Sequence, residues 1–263
     1  MTVERNELNV NMVALTQPHS QIAEQFRTLR TNIEFLLPQE ELRSIAVTSA
    51  SSSEGKSTAA VNLSIVYAQA GKKVLLIDGD LRRPSVHQTF NLSNASGIST
   101  VLAEKAALED AINPTAVEGL DVLTSGPQPA LTAEILRSEA MDGLMEHLLA
   151  IYDLLVVDSP PVLSLADGQI LANKCQGTLL VINTGKTEKH LAILAKEAIE
   201  SSGGKLLGAV LNNFAFPKKG TGNPYFQSEA EDLQVLGERK REGKEKKGCF
   251  PQSLKLKAYW RSL

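Results

Sequence analysis

Cysteine is nearly absent from this sequence. Cys175 and Cys249 stand far apart and lack metal-ligand spacing, which excludes a disulfide scaffold or a Cys/His metal site as the organising feature. Reduced thiols of a cytosolic protein are the expected reading. Histidine is sparse as well. His87, the one nearest the acidic motif described below, has no partner pattern and reads as structural. No stretch reaches the roughly 18–20 apolar residues that span a bilayer. The opening MTVERNELNVNMVALTQPHS has none of the apolar core of a signal peptide. A cytoplasmic location is expected, with any membrane role depending on another protein. Net charge is only −3, which speaks against a nucleic-acid partner. That mean conceals a basic end: residues 238–263 hold nine Lys/Arg against three Glu.

The chain does have enough apolar content, 43% of 263 residues, for one α/β domain with a full core. Residues 1–18 read as an irregular leader. Gln21–Leu37 reads as an amphipathic helix with Ile22, Phe26, Leu29, Ile33 and Leu36 on one face, Ser20 as its cap and Pro38 as its stop. Short apolar runs follow at Ser44–Thr48, Lys73–Ile77, Leu120–Leu123, Leu154–Val157, Thr178–Ile182 and Leu206–Leu211. Most lack polar interruptions, as strands covered on both faces do. Helical segments at Ser57–Ala70, Ile98–Ala111, Thr132–Ala150 and Lys189–Ser202 alternate with them. The rhythm implies a mainly parallel sheet with helices on both faces. Residues 217–263 are expected to be mostly mobile.

Three strand ends carry chemistry. After SIAVTS comes Ala50-Ser51-Ser52-Ser53-Glu54-Gly55-Lys56-Ser57-Thr58, which then opens a helix. Such a P-loop wraps phosphates in backbone N–H groups, aims a lysine at the β/γ-phosphates and offers a hydroxyl to Mg²⁺. Lys56 and Ser57 fill the last two roles, Ser52 to Thr58 form the cradle, and Ala50 stands where the general motif has its first Gly. Next, Val74-Leu75-Leu76-Ile77 runs into Asp78-Gly79-Asp80-Leu81-Arg82. Asp78 and Asp80, two apart, can face one site, hold Mg²⁺ and accept a proton. Finally, Leu154-Leu155-Val156-Val157 ends in Asp158-Ser159-Pro160-Pro161, the Walker B arrangement. The three acids and Lys56 are expected to meet around one magnesium triphosphate. Asn212, at the end of another strand, could read an adenine, although a turn explains it equally well.

These three motifs, SSSEGKST, LLIDGDLRRP and LLVVDSPP, resemble those of the bacterial tyrosine kinases of capsule and exopolysaccharide assembly. The resemblance runs over about Ser20 to Phe214. It implies an α/β P-loop NTPase fold over residues 1–216, ATP and Mg²⁺ as cofactors, and protein-tyrosine autophosphorylation in the control of polymerisation and export. By position, Lys56 binds phosphate and Ser57 binds metal. Asp78 and Asp80 supply the base and a metal partner, Asp158 supports the metal, and Arg82 contacts phosphate or bridges acidic groups. Glu24, Arg27 and Arg30 match a ring-forming Glu-x-x-Arg-x-x-Arg helix. The resemblance further implies a homo-oligomeric ring, a membrane adaptor of the polysaccharide co-polymerase type, a cognate tyrosine phosphatase, and a peripheral location at the inner face of the cell membrane. The family's C-terminal tyrosine cluster is missing here. Of the four tyrosines, Tyr67 reads as buried and Tyr152 opens the Walker B strand, which leaves Tyr225 and Tyr259 as acceptors. Two other readings stay open: a positioning or partition ATPase, although Ser51 stands where those carry an extra lysine, and a non-catalytic nucleotide-gated scaffold.

Overall fold

The computed structural model describes residues 11–36 and 41–214, together with the backbone of 257–259. The apolar runs become the parallel strands β1 (Ser44–Ser49), β2 (Val74–Asp78), β4 (Leu120–Leu123), β5 (Leu154–Asp158), β6 (Gly177–Asn183) and β7 (Leu206–Asn212). Two short antiparallel strands close the edges: β3 (Ile112–Pro114) beside β4, and β8 (Lys257–Tyr259) beside β7. The order across the sheet is β3-β4-β2-β5-β1-β6-β7-β8. Its consequence for function is direct. The strands that precede the three motifs, β2, β5 and β1, are neighbours, and parallel pairing brings their carboxyl ends to one edge. The register sets Asp78 opposite Asp158.

Helices cover both faces. On one side α1 (Val13–Thr16), α2 (Gln21–Leu36) and α3 (Lys56–Ala68) pack on Val47, Val74, Leu76 and Val156. On the other, α8 (Glu139–Ile151) lays Met141, Leu144 and Leu148 on Leu75, Ile77, Leu155 and Val157. Alternate residues of one strand thus feed opposite layers, as the pleat demands. The short helices α4 (Val86–Thr89), α5 (Ile98–Leu102), α6 (Leu108–Ala111) and α7 (Thr132–Arg137) lie in the connections, and α9 (Ala166–Lys174) and α10 (Lys189–Ser201) flank β6 and β7.

Several boundaries differ from expectation. α2 is capped by Ser20, whose Oγ accepts from the Ala23 N–H at 3.2 Å. Phe26, Leu29 and Ile33 are buried, each such side chain contributing about 1.5–3 kcal/mol. The packed stripe stops at Ile33, so Leu36 is exposed beside Phe35. The leader is not irregular throughout. Met12, Val13 and Ala14 are buried, and the Asn62 side chain on α3 accepts from Ala14 N–H and donates to Asn11 O. The expected helix 132–150 is two helices. Ser138 ends α7 in an extended conformation and caps α8, its Oγ accepting from Met141 N–H. The expected helix 98–111 breaks between Leu102 and Leu108, where Glu104 takes φ 56°.

Two tyrosines are structural. Tyr67 is buried on α3. Tyr152, nearly buried, donates its hydroxyl to Asp121 Oδ2 at 2.8 Å and lies under the Lys73 ammonium. Burial and the Asp121 carboxylate both push its phenol pKa up. Replacing Tyr152 by Phe is expected to lower unfolding free energy by about 1–2 kcal/mol through the lost hydrogen bond. Urea titration should show this with ATP affinity unchanged. Cys175 is buried, and burial pushes its thiol up to about 12, as befits an unreactive core residue.

Candidate nucleotide and phosphoryl-transfer site

The P-loop leaves β1 and turns back under itself. Ser53 and Gly55 take positive φ, 62° and 97°, and α3 begins at Lys56. Glu54 points inward and is buried. Its Oε2 accepts from Ala50 N–H and its Oε1 from the Thr187 hydroxyl. Burial raises the Glu54 pKa against those hydrogen bonds. The first N–H groups of α3 have no intrahelical partner, and together with the positive end of the helix dipole they make its N-terminus a phosphate receptor.

This end of α3 lines a cleft of about 660 Å³. The P-loop contributes Ser52, Ser53, Gly55, Lys56, Ser57 and Thr58 to its wall. The acidic motif contributes Asp80, Arg82, Arg83 and Ser85, and the segment after β5 adds Pro160, Pro161, Ser164 and Leu165. Lys56 is largely buried. Its Nζ lies 2.9 Å from Asp80 Oδ2 and 3.4 Å from Asp158 Oδ1, and donates to Ser57 Oγ at 3.3 Å. Burial opposes the Lys56 charge, but Asp158 and Asp80 outweigh it and hold its pKa above the ordinary lysine value. Asp158 is raised by burial, with Lys56 and a hydrogen bond from Ser57 pulling the other way.

Asp78 and Asp80 part company. Asp80 lines the cleft, whereas Asp78 is fully buried and its Oδ2 accepts from Ser85 N–H and Val86 N–H at the start of α4. Burial and the adjacent Asp158 push Asp78 up to about 8. Two carboxylate oxygens, Asp78 Oδ1 and Asp158 Oδ2, are buried without a hydrogen-bond partner among the described residues. The trio expected to enclose one ion does not close up. Among the described residues no three acidic, histidine or cysteine side chains are placed to hold a metal together. The reason is local: Lys56 sits between Asp80 and Asp158, and the α4 amides turn one oxygen of Asp78 away. Mg²⁺ needs fewer protein ligands than that, since one or two carboxylates plus substrate phosphates suffice. The orphaned oxygens, the Ser57 hydroxyl and the N–H cradle fit a magnesium nucleotide.

Arg82 pairs with a single acidic group, Asp167. Its Nε lies 2.6 Å from Asp167 Oδ2 and its Nη2 3.3 Å from Oδ1, a two-point fork onto a carboxylate 1% exposed. Asn212 is buried under the P-loop. Its Nδ2 donates to Glu54 O at 2.9 Å and its Oδ1 accepts from Asn213 N–H, so the amide supports the loop. On α2, Arg27 pairs with Glu24 and donates to Pro18 O, while Arg30 donates to Val66 O on α3. These side chains brace the helix within the chain. Tyr225 lies outside the described residues, and Tyr259 is described only as backbone in β8.

Sequence reasoning missed Asp167, Arg83, Thr187 and the Glu54 side chain's inward role. A conspicuous acid inside the P-loop was the one available signal for the last. Asp167 and Thr187 lie 85 and 133 residues in the chain from Arg82 and Glu54, which they touch.

A family model described as an AAA domain matches residues 42–186. The chain is 50% identical over 202 residues to tyrosine-protein kinase YwqD of Bacillus subtilis, spanning 77% of this chain and 85% of that protein. It is 40% identical over 210 residues to the putative tyrosine-protein kinase CapB of Staphylococcus aureus, over 80% of this chain and 92% of that one. Among solved structures, the kinase domain of Escherichia coli tyrosine kinase ETK superposes with a TM-score of 0.76 at 32% identity, covering 85% of this chain and 89% of that domain.

Proposed function

The chain belongs to the bacterial tyrosine-protein kinases and carries their AAA-type P-loop domain, and from that premise we propose that it transfers the γ-phosphoryl group of MgATP to tyrosine hydroxyls to regulate polymerisation and export of a capsular or extracellular polysaccharide. One observation carries the proposal. A P-loop lysine, a helix N-terminus and the acids Asp80 and Asp158 converge on one cleft, with buried carboxylate oxygens that no donor among the described residues satisfies.

Phosphoryl transfer asks mainly for positioning and charge neutralisation. The N–H groups of Ser52 to Thr58 cradle the phosphates, and Lys56 moves from Asp80 and Asp158 onto the β/γ oxygens. Ser57 and Asp158, with Asp78 Oδ1 behind them, would hold magnesium, which when bound neutralises charge on the β- and γ-phosphates. Asp80, at the cleft wall, takes the proton from the attacking tyrosine hydroxyl as the new O–P bond forms and ADP departs. Asp78, tied to the start of α4, positions the acidic motif. Arg82, held by Asp167, shapes the acceptor side of the cleft.

The finer reading follows the family. An adaptor of the polysaccharide co-polymerase type at the inner face of the membrane activates the kinase. Copies associate through the Glu24, Arg27 and Arg30 flank of α2, and a cognate phosphatase reverses the modification. Tyr225 and Tyr259 are the candidate acceptors. Among the described residues no helix is long and apolar enough to cross a membrane. Incubation of the purified chain with MgATP and the adaptor's cytoplasmic segment should yield phosphotyrosine detectable by mass spectrometry, with slow turnover alone and faster turnover with the segment. ATP hydrolysis coupled to lipid or DNA binding, without phosphotyrosine, would instead favour a positioning ATPase.

A further inference from the structure

The loop between β6 and α10 grips the P-loop from below at two places. Thr187 donates its hydroxyl to Glu54 Oε1 at 2.6 Å and accepts from Asn183 N–H, so its proton is committed to the carboxylate. Lys186, next to it, donates from Nζ to Ser52 O at 3.1 Å. The neighbouring strand end completes the circuit. Thr184 N–H donates to Asn212 O, and Asn212 in turn donates to Glu54 O. Glu54 is therefore held through its side chain and its main chain, while its Oε2 closes the loop on Ala50 N–H. None of these groups lines the cleft except Ser52. Apart from Ser52 they touch the loop and not the cleft, so they can act on a bound phosphate through the curvature of the loop.

We propose that Glu54 and Thr187 are positioning residues for nucleotide binding: the β6–α10 loop is a strut that holds the P-loop amides in their phosphate-receiving arrangement. The assignment rests on the ATP-dependent reading above. A buried carboxylate inside an anion-binding loop is otherwise adverse, because its charge repels phosphate and its burial costs solvation. The geometry resolves this by turning the carboxylate away from the cleft and engaging each of its oxygens with a donor, one from the loop itself and one from the strut.

The test uses the full chain. MgATP affinity of the unsubstituted protein, Thr187→Val, Thr187→Ser and Glu54→Gln is measured by equilibrium dialysis with radiolabelled ATP, well below the melting midpoint recorded for each. Thr187→Val, nearly isosteric but without the hydroxyl, leaves Glu54 Oε1 without its donor and Asn183 N–H without its acceptor, and is expected to weaken MgATP binding about tenfold, the order set by stranding a buried polar group. Thr187→Ser should restore affinity to within about twofold, and Glu54→Gln, which keeps an acceptor oxygen, should fall between them. A Thr187→Val protein that melts earlier yet binds MgATP normally would make the contact purely structural and overturn the assignment. So would a Thr187→Ser protein as weak as the valine variant. Failure of the unsubstituted protein to bind MgATP would remove the kinase reading along with it, so the two failures are distinguishable.

Discussion

Lys56→Met is expected to reduce phosphotyrosine formation by about a hundredfold to a thousandfold, the loss typical of removing one preorganised donor from a developing charge. Methionine keeps the length and unbranched shape of the stem, so the fold should persist under circular dichroism. Two effects add to the loss. The β/γ-phosphates no longer meet a cation, and Asp80 and Asp158 no longer have the ammonium that lies 2.9 and 3.4 Å from them. Without it two acids confront the triphosphate, and affinity should fall together with turnover. Phosphotyrosine at the unsubstituted rate in a reconstituted mixture with the adaptor segment would end the case for catalysis at this cleft.

The second large effect is expected from Gly55→Ala. Gly55 sits at φ 97°, where an L side chain is strained by on the order of 1–3 kcal/mol. A Cβ built there would come within 2.1 Å of Asn212 Nδ2 and 3.2 Å of its Cγ. Asn212 is buried and its amide donates to Glu54 O, so it cannot swing aside without releasing the loop. Both the melting midpoint and MgATP affinity should drop, affinity by more than about tenfold since the amides on either side of residue 55 form the cradle. The two causes are separable. In an Asn212→Ala background the steric part disappears and the backbone part remains, so Gly55→Ala should cost less stability there than in the unsubstituted chain. Equal costs in the two backgrounds would show that Asn212 does not constrain this residue.

The strands were legible because a parallel sheet covered on both faces demands uninterrupted apolar runs, and Leu154–Val157 or Val74–Ile77 can be little else. The helix breaks were harder. Ser138 interrupts an apolar periodicity that continues on both sides of it, and periodicity reports which face is buried without reporting whether the backbone is continuous. α9 is not among the helical segments expected from the sequence. In the folded chain it packs against α7, and its Asp167 takes Arg82. The leader's short helix was invisible because its anchor, Asn62, lies 48 residues away from Ala14.

The sequence by itself determined the chemistry on offer: a phosphate-binding loop with its lysine and serine, two acidic strand ends, and the apolar runs that place each motif after a strand. Local pattern suffices for that, because motif and strand are contiguous in the chain. Only the tertiary structure decided how the acids divide their work. Strand order sets Asp78 beside Asp158, the α4 amides capture Asp78, and Lys56 is left with Asp80 and Asp158. It also decided that Glu54 and Asn212 brace the loop from below. Those outcomes depend on contacts between separate elements, from Asp78 with the Val86 amide to Glu54 with Asn212 at the far end of the chain, and the one-dimensional pattern of burial records that a side chain is covered without recording by what.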